Sequence, residues 1–320
     1  MFQRSSRFVA NSGKNIRYII EGASEIEANK RELLIKDADL MDLEDMYEQL
    51  KDSHLDNFLL CYASSFKYPS QRSRFVEVLK KNFIPNLEYQ VLSATAPTTV
   101  LDQIVEYESN HPIISVHDLL EHRFTGNKLI YCASHPLLGD RVLGYLKIAL
   151  DDKVACNVED LLSKSSTKFD IANFYSIISP HLYLSQLGIG HDLITNAVHY
   201  LTKRYNTSSF YTLSPIPKFS EWQSTHKSTL SVNNDKDLKE LAVKYITKAK
   251  KGKFAHCPVA NFHLQNGACL FQVNLHANSS KLGIRSSFGT MVNYEYDLKK
   301  CPQRATEYQK LGKIVNKVVA

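Results

Sequence analysis

A glycine pair between an apolar strand and a helix constrains the fold of this chain more than any other feature of its sequence. Residues 174–178 read Phe-Tyr-Ser-Ile-Ile and predict a buried strand, and residues 192–205 have the spacing of an amphipathic helix. The helix opens on Leu187-Gly188-Ile189-Gly190-His191. Glycines at a helix N-terminus let backbone amides approach a pyrophosphate, whose charge the helix dipole favours. The pattern therefore predicts a strand–turn–helix unit with a phosphate site, and a helix entry without any ligand is the alternative.

Two regions of different character follow one another along the chain. Apolar residues recur at helical spacing over residues 21–92, which predicts an all-helical domain. Prolines and small polar residues interrupt this pattern between residues 86 and 98. Beyond it, short apolar runs at 128–133, 141–150, 171–178, 209–213 and 269–275 predict strands separated by helices. The sequence predicts an α+β protein with a helical domain at 21–92 and an α/β domain at 93–320.

Composition limits the partners of the chain. The net charge of +6 favours an anionic ligand, and a phosphorylated one fits better than nucleic acid because the basic residues are spread out without zinc-finger or helix-turn-helix patterns. The six cysteines form no CxxC pair, so no metal site is expected. The glycine pair lacks the further residues of dinucleotide and P-loop motifs, which disfavours NAD and ATP. No apolar run approaches the roughly 18 to 20 residues of a membrane helix.

The first twenty residues have the composition of a mitochondrial targeting segment. They contain four basic residues and several serines, and the first acidic residue is Glu21. The alternative is a basic first helix of a mature cytoplasmic protein. The C-terminus lacks the Ser-Lys-Leu peroxisomal signal. We expect a location in the mitochondrial matrix.

A serine and a histidine lie in two unusual strings that suggest acyl-group chemistry. Ser214 lies in Thr212-Leu-Ser-Pro-Ile-Pro217, and His263 lies in Pro258-Val-Ala-Asn-Phe-His-Leu-Gln-Asn266-Gly-Ala268. The G-x-S-x-G turn of a serine hydrolase is absent from the sequence. Taken singly, Ser214 at a strand end and His263 beside an apolar run are as readily structural residues. Two such strings in order favour a site at which a proton is transferred.

The order of these strings resembles that of the malonyl-CoA decarboxylase family over about residues 93–312. The resemblance includes a helix ending in Tyr-Glu-x-x-His111, the Phe-Tyr-Ser-Ile strand at 174, both strings above and Gly289-x-Met-Val-Asn-Tyr-x-Tyr296. The glycine turn is similar to the coenzyme A loop of Gcn5-related acetyltransferases. The resemblance implies a Gcn5-related N-acetyltransferase-like catalytic domain with a mixed central sheet, and the helical region before it implies a homo-oligomer.

The resemblance also implies an activity and a set of site residues. The activity is conversion of malonyl-CoA to acetyl-CoA and CO2 in fatty acid metabolism, with malonyl-CoA as partner and without metal or separate cofactor. Ser214 and His263 match the catalytic pair, Tyr296 matches another active-site residue, and Asn266 is a weaker candidate for orienting His263. The residues expected to bind coenzyme A are Gly188, Ile189, Gly190 and His191. Ser214 is either a proton relay for His263 or a covalent nucleophile.

The chain departs from the family at two charged positions. Familiar members carry an active-site acidic residue where Gly188 stands, and Lys147 replaces a common acidic residue in the strand predicted at 141–150. These departures keep two other functions open: a related acyl-CoA transferase, and a catalytically impaired protein that binds coenzyme A and regulates.

Overall fold

The computed structural model describes residues 7–11, 15–19, 43–64, 69–108, 113–124, 126–181, 184, 186–225 and 234–318. Near the N-terminus, β1 (Arg7–Asn11) and β2 (Asn15–Ile19) form an antiparallel pair. This hairpin lies within the predicted targeting segment, whose function stays a prediction. The predicted helical residues before 43 lie outside the described part of the chain.

Helices surround a central sheet. In chain order they are α1 (Leu43–Ser64), α2 (Pro69–Asn82), α3 (Thr98–Tyr107), α4 (Val116–Arg123), α5 (Val158–Ser163), α6 (Ile189–Tyr205), α7 (Phe219–Thr225), α8 (Asp235–Lys248), α9 (Pro258–Gln265), α10 (Lys281–Ser287) and α11 (Cys301–Leu311). Short 3-10 turns occupy Ile84–Asn86 and Pro136–Leu138. None of the helices in the described segments combines the length and apolar character needed to cross a bilayer.

The remaining strands build one mixed sheet and a small hairpin. They are β3 (Glu88–Val91), β4 (Lys128–Ser134), β5 (Gly144–Asp151), β6 (Ile171–Ile178), β7 (Ser209–Thr212), β8 (Ser214–Pro215), β9 (Lys250–Lys251), β10 (Phe254–Ala255), β11 (Cys269–Asn274) and β12 (Met291–Tyr296). The sheet order is β11-β12-β7-β6-β5-β4-β3, and β8 pairs with β12. Within this sheet β6 and β7 are parallel, and the other neighbours in the order are antiparallel.

The centre of the sheet is buried on both faces, because helices cover each side. β5 is buried from Gly144 to Leu150, which explains its nearly continuous apolar sequence. The connection from β6 to β7 passes through α6, as a parallel pair requires a crossover. α6 buries six apolar side chains, and each of the five larger ones, all but Ala197, contributes on the order of 1.5–3 kcal/mol if an exposed side chain is the reference. The predicted strand–turn–helix unit is therefore confirmed and holds the middle of the sheet together.

The helical region before the sheet is shorter than the sequence pattern predicted. Residues 88–91 form β3 instead of continuing as helix, because they alternate in exposure and pair with β4 at the sheet edge. α1 and α2 pack through aromatic side chains such as Phe58 and Phe75, whose ring centroids are 5.3 Å apart. Their buried residues belong to the same apolar cluster as the side chains of α6 and β12. A domain boundary at residue 92 stays a prediction.

The α+β class and the mixed sheet are confirmed. The five predicted strands all form, with β6 at the predicted bounds and the others shifted by up to three residues. β12 and the two-residue β8 were not identified as strands in the sequence. Both carry residues of the candidate site.

Candidate active site

A cavity of about 520 Å³ lies where β6 and β7 separate. The parallel pairing ends at Phe174 and Thr212, after which β6 continues to Ile178 paired with β5 but no longer with β7. The gap is lined by residues 175–179, by residues 213–215, and by Ile189 and Gly190 at the start of α6. Pro258, Val259, Phe262 and His263 of α9 line it from the other side. The separated strands thus expose backbone at the bottom of a cavity that α6 and α9 border.

A β-bulge lies in the β6 wall of this cavity. Lys147 of β5 is opposite Ser176, and Ile148 is opposite Phe174, so Tyr175 has no partner of its own in the register. A bulged residue leaves the regular hydrogen-bond ladder and redirects its backbone groups. Tyr175 and Ser176 both line the cavity. The bulge therefore gives the cavity a polar backbone surface within an otherwise apolar wall.

Ser214 reaches the cavity from the short strand β8. The pairing of Ser214 with Val292 of β12 fixes its backbone, and its side chain is 5% exposed. The Ser214 Oγ lies 3.0 Å from His263 Nε2 and 2.8 Å from Thr212 Oγ1. The sequence predicted that Ser214 and His263 approach within hydrogen-bonding range. This approach is observed although 49 positions separate them.

His263 is held in the last turn of α9. Pro258 occupies the first turn of this helix, where its missing N–H is not needed, and Cys257 precedes it as N-cap residue. The imidazole is 2% exposed and stacks on Tyr294, with ring centroids 4.6 Å apart. Its Nδ1 lies 2.8 Å from the Tyr296 hydroxyl, so both ring nitrogens have partners. The ring is fixed in position and in plane.

Burial controls the charge of this group of side chains. Loss of water around the imidazole lowers the pKa of His263 from 6.5 to about 3. Burial also raises the pKa of Tyr296 well above its usual value, and the neighbouring Asn266 amide opposes this shift. His263 is therefore neutral at physiological pH and Tyr296 keeps its proton. The site contains neutral hydrogen-bond donors and acceptors instead of an ion pair.

Asn266 lies at the C-cap of α9, beside Tyr296. Its Nδ2 makes no hydrogen bond of good geometry and is buried. The following Gly267 has φ +78°, and a Cβ there would lie 2.0 Å from the Cys301 carbonyl oxygen. Glycine at this position is therefore needed for the turn between α9 and β11. Asn266 contacts the Tyr296 end of the site instead of the His263 ring directly.

The predicted coenzyme A residues lie at the start of α6. Gly188 is the N-cap residue, and its φ of 86° is a conformation that glycine adopts without strain. Ile189 is buried, and Ile189 and Gly190 line the cavity. Gly188 and His191 are exposed and are not among the residues that line the cavity. The helix N-terminus thus borders the cavity that contains Ser214 and His263, and its contact with a phosphate stays a prediction.

Thr212 and Tyr294 also belong to the site, although no pattern in the sequence singled them out as candidates. Thr212 Oγ1 accepts hydrogen bonds from Ser214 Oγ and from the Tyr294 backbone N–H, at 2.8 and 3.1 Å. Tyr294 and Tyr296 are two residues apart in β12, so both side chains lie on the same face of the strand, where they contact His263. Period-two alternation on β12 is the signal that would have identified Tyr294 once β12 was recognised as a strand.

A buried ion pair lies behind the bulge. Lys147 of β5 pairs with Glu108, which follows α3, and both side chains are fully buried. Burial lowers the pKa of Lys147 to about 8, against the opposing effect of Glu108. Ser176 of the cavity wall donates a long hydrogen bond of 3.5 Å to Glu108. The Glu108 carboxylate is therefore hydrogen-bonded to the cavity wall, whereas position 188, where the family resemblance implies an acidic residue, is glycine.

Metal ligands do not cluster in the described segments, where no group of three or more His, Cys, Asp or Glu side chains is suitably arranged. The site described above is built from hydroxyl groups, one imidazole and backbone. Such donors suit a reaction that develops negative charge on oxygen and then needs a proton.

Comparison with known sequences places this geometry in a family context. The sequence model of the malonyl-CoA decarboxylase C-terminal domain matches residues 86–237 and 225–319. The mitochondrial malonyl-CoA decarboxylase of Rattus norvegicus is 27% identical over 266 residues, covering 67% of this chain and 54% of that protein. The mitochondrial malonyl-CoA decarboxylase of Anser anser anser is 29% identical over 266 residues, covering 67% and 53%. The chain spans about half the length of these curated relatives.

Solved structures show the same fold. The malonyl-CoA decarboxylase of Rhodopseudomonas palustris superimposes with a TM-score of 0.72 at 24% identity, covering 92% of this chain and 85% of that one. The Cupriavidus metallidurans enzyme gives a TM-score of 0.74 at 22% identity, covering 92% and 89%. The likeness confirms the fold class expected from the sequence, an α+β protein with a mixed central sheet.

Proposed function

Because the chain belongs to the malonyl-CoA decarboxylase family, we propose that it converts malonyl-CoA to acetyl-CoA and CO2. The observation that carries the proposal is the buried hydrogen-bonded chain from Tyr296 through His263 to Ser214 at the wall of the cavity. Ile189 and Gly190, two of the four residues expected to bind coenzyme A, line the same cavity, which supports an acyl-CoA substrate. The proposed role lies in fatty acid metabolism.

The reaction makes two demands on the site. When the bond between the α-carbon and the carboxylate breaks, CO2 leaves and the electron pair moves through the α-carbon to the thioester oxygen. The resulting enolate then takes one proton on carbon. The site therefore needs donors at the thioester oxygen and an acid near the α-carbon.

We propose that backbone amides at the β6 bulge stabilise the thioester oxygen. Preorganised N–H groups in a site without water stabilise a developing oxyanion, and loss of one such donor typically lowers the rate about 10²–10³-fold. Tyr175 is outside the ladder pairing and lines the cavity with Ser176. The start of α6 adds a positive helix end to the same cavity.

We propose that His263 supplies the proton through Ser214. A thioester enolate is strongly basic, so a neutral imidazole is a sufficient acid, as with other electrophilic neutral histidines in enzymes. Burial keeps His263 neutral, and Ser214, which is hydrogen-bonded to His263 Nε2, lines the cavity together with it. Ser214 transfers its hydroxyl proton to carbon while it receives the Nε2 proton of His263, which leaves the ring as an imidazolate that accepts a hydrogen bond from Tyr296. Water restores the Nε2 proton when the products leave the cavity. Tyr296 holds the Nδ1 side of the ring, and Asn266 lies beside Tyr296.

The absence of a side chain at Gly188 bears on the rate rather than on the type of reaction. The acidic residue that the family resemblance implies at this position cannot act here. The proposed relay does not require it, because the enolate needs a proton donor and Ser214 provides one. We expect slower turnover than in relatives that retain the acidic residue.

The test uses purified protein and malonyl-CoA labelled in its free carboxyl group. Native protein should release labelled CO2, and Ser214→Ala and His263→Gln should each lower kcat at least about 10²-fold, the usual contribution of a positioned acid. Ser224→Ala and His199→Gln are matched controls at exposed positions and should retain native rates. No release by folded native protein would contradict the proposal. Transfer of the acyl group to an amine acceptor would indicate the transferase alternative, and binding without turnover would indicate the regulatory one.

We also propose a mitochondrial location and a homo-oligomeric state. The basic, serine-containing composition of residues 1–20 and the mitochondrial names of two relatives support the location. Import into isolated mitochondria, with and without residues 1–20, tests it. The family resemblance supports an oligomer assembled through the helical region, and light scattering of the purified chain measures its mass.

A further inference from the structure

We propose that Thr212 is a positioning residue. It sets the direction of the hydrogen bonds that link Thr212, Ser214, His263 and Tyr296, and with it the tautomer of His263. The inference rests on the function proposed above and deepens it. Thr212 ends β7 and is fully buried, and the described lining of the cavity contains Ser214 and His263 but not Thr212. Thr212 therefore acts on the reaction through Ser214.

A backbone amide determines which atom donates in each of these hydrogen bonds. The Tyr294 N–H can only donate, so Thr212 Oγ1 accepts this bond at 3.1 Å. The geometry also makes Ser214 the donor of the 2.8 Å bond to Thr212 Oγ1. A threonine hydroxyl has two lone pairs, so it accepts both bonds at once. Thr212 thus serves as an acceptor at the end of the chain.

This direction determines where the protons of His263 lie. Ser214 has one hydroxyl proton, and that proton is directed to Thr212. The 3.0 Å contact between Ser214 Oγ and His263 Nε2 therefore needs the proton of Nε2. A neutral imidazole carries one N–H, so Nδ1 accepts from the Tyr296 hydroxyl at 2.8 Å. His263 is the Nε2–H tautomer, ready to donate toward the cavity.

The tautomer of His263 distinguishes the two roles that the sequence left open for Ser214, a covalent nucleophile and a proton relay. A covalent nucleophile needs Nε2 as a base that accepts the serine proton. A relay needs Nε2 as the donor. Thr212 favours the relay, because it accepts a hydrogen bond from the Ser214 hydroxyl until a substrate group competes for that proton.

Three variants of the full chain, each prepared with labelled histidine, test the assignment. Long-range ¹H–¹⁵N spectra of histidine distinguish the two tautomers, and His263→Gln identifies the relevant signal by its loss. We expect the Nε2–H form in native protein and in Thr212→Ser, which keeps the hydroxyl. Thr212→Val has nearly the same shape but no acceptor, so Ser214 should donate to His263 and the ring should change to the Nδ1–H form.

Turnover provides the second measurement. Thr212→Val should lower kcat about 10- to 100-fold with KM changed less than about threefold, part of the usual effect of a misplaced acid, and Thr212→Ser should stay near native. An Nδ1–H signal in native protein, or an unchanged tautomer in folded Thr212→Val, would overturn the inference. If the tautomers change as expected but native protein releases no CO2, the hydrogen-bond assignment stands and the proposed function fails.

Discussion

His263 links the stability of the fold to pH, because it is neutral when folded and titrates normally when unfolded. Its folded pKa is about 3 and its unfolded value is 6.5, so the unfolded chain binds more protons between these values. The neutral ring's contribution is complete above pH 6.5 and is lost as the pH falls toward 3. Between about pH 7.5 and pH 4.5 we expect a loss of about 2–3 kcal/mol from this residue.

Urea unfolding at the two pH values measures this loss. His263→Gln should show a smaller difference in unfolding free energy between them, whereas the exposed His199→Gln should keep the native difference. The comparison uses differences between pH values, so any constant destabilisation by the substitution cancels. Equal pH dependence in native protein and His263→Gln would contradict burial of a neutral imidazole.

The sequence predicted the reacting pair and the two residues on the Nδ1 side of the ring, Tyr296 and Asn266, but not Thr212 or Tyr294. Ser214 and His263 lie in distinctive strings, and their approach follows from the assumption that both strings serve one reaction. Thr212 and Tyr294 act through a hydroxyl and a backbone amide, which any polar or aromatic residue of a strand resembles. Their roles depend on strand register between β7 and β12, and register is set by tertiary packing.

Close contact between α6 and β5 depends on Gly144. A Cβ at this position would lie 3.0 Å from Leu193 Cδ1 and 3.2 Å from the Ile178 carbonyl oxygen. Replacing glycine with alanine lowers the conformational entropy of the unfolded chain, which stabilises the fold by about 0.4–1 kcal/mol. Overpacking of a core, however, typically destabilises a protein by about 1–3 kcal/mol. The backbone oxygen cannot move aside, so we expect Gly144→Ala to be destabilising by about 1 kcal/mol or more.

The urea midpoint of Gly144→Ala measures the effect. Leu193→Ala in the same background removes one of the three groups that would lie within 3.3 Å of the added Cβ, so the double variant should be less destabilised than the sum of the single changes. Additive effects would indicate that Leu193 does not restrict this position.

The buried pair of Lys147 and Glu108 connects the end of α3 to β5. Lys147→Met leaves the Glu108 carboxylate buried without its cation, which should destabilise the protein by about 3–5 kcal/mol. Glu108→Gln with Lys147→Met removes both charges and should recover most of this loss in thermal or urea unfolding. A single variant as stable as the native protein would show that water reaches Glu108.

Sequence analysis predicted most elements of the sheet but not the bulge or the ion pair. Strands such as β6 stand out because apolar residues run between turn formers. The bulge at Tyr175 has no glycine or proline to announce it, and it follows from fitting β6 between β5 and β7. A lysine inside Tyr-Leu-Lys-Ile-Ala-Leu required a partner, but nothing local identified Glu108 as that partner.

The apolar core extends from α1 and α2 into the sheet, so the described parts of both regions should unfold together. Phe58 is fully buried and packs against Tyr47 and Phe75. Phe58→Ala should destabilise the protein by about 3–5 kcal/mol. Trp222, the single tryptophan, lies in α7, the helix that follows β8 and Ser214 in the sequence.

Unfolding of Phe58→Ala followed by Trp222 fluorescence and by far-UV circular dichroism compares the two regions. We expect both signals to shift to the same lower midpoint, as in a two-state transition. A fluorescence midpoint equal to that of native protein would show that α1 and α2 unfold separately from the sheet.

The position of β12 has a consequence for synthesis of the protein. β12 is among the last elements of the chain, yet it lies between β7 and β11 in the sheet. Until residues 291–296 have left the ribosome, β7 has an open edge that can pair with another chain. Nascent molecules therefore pass through a stage at which they are prone to aggregate. The same strand that completes the candidate site with Tyr294 and Tyr296 ends this exposure.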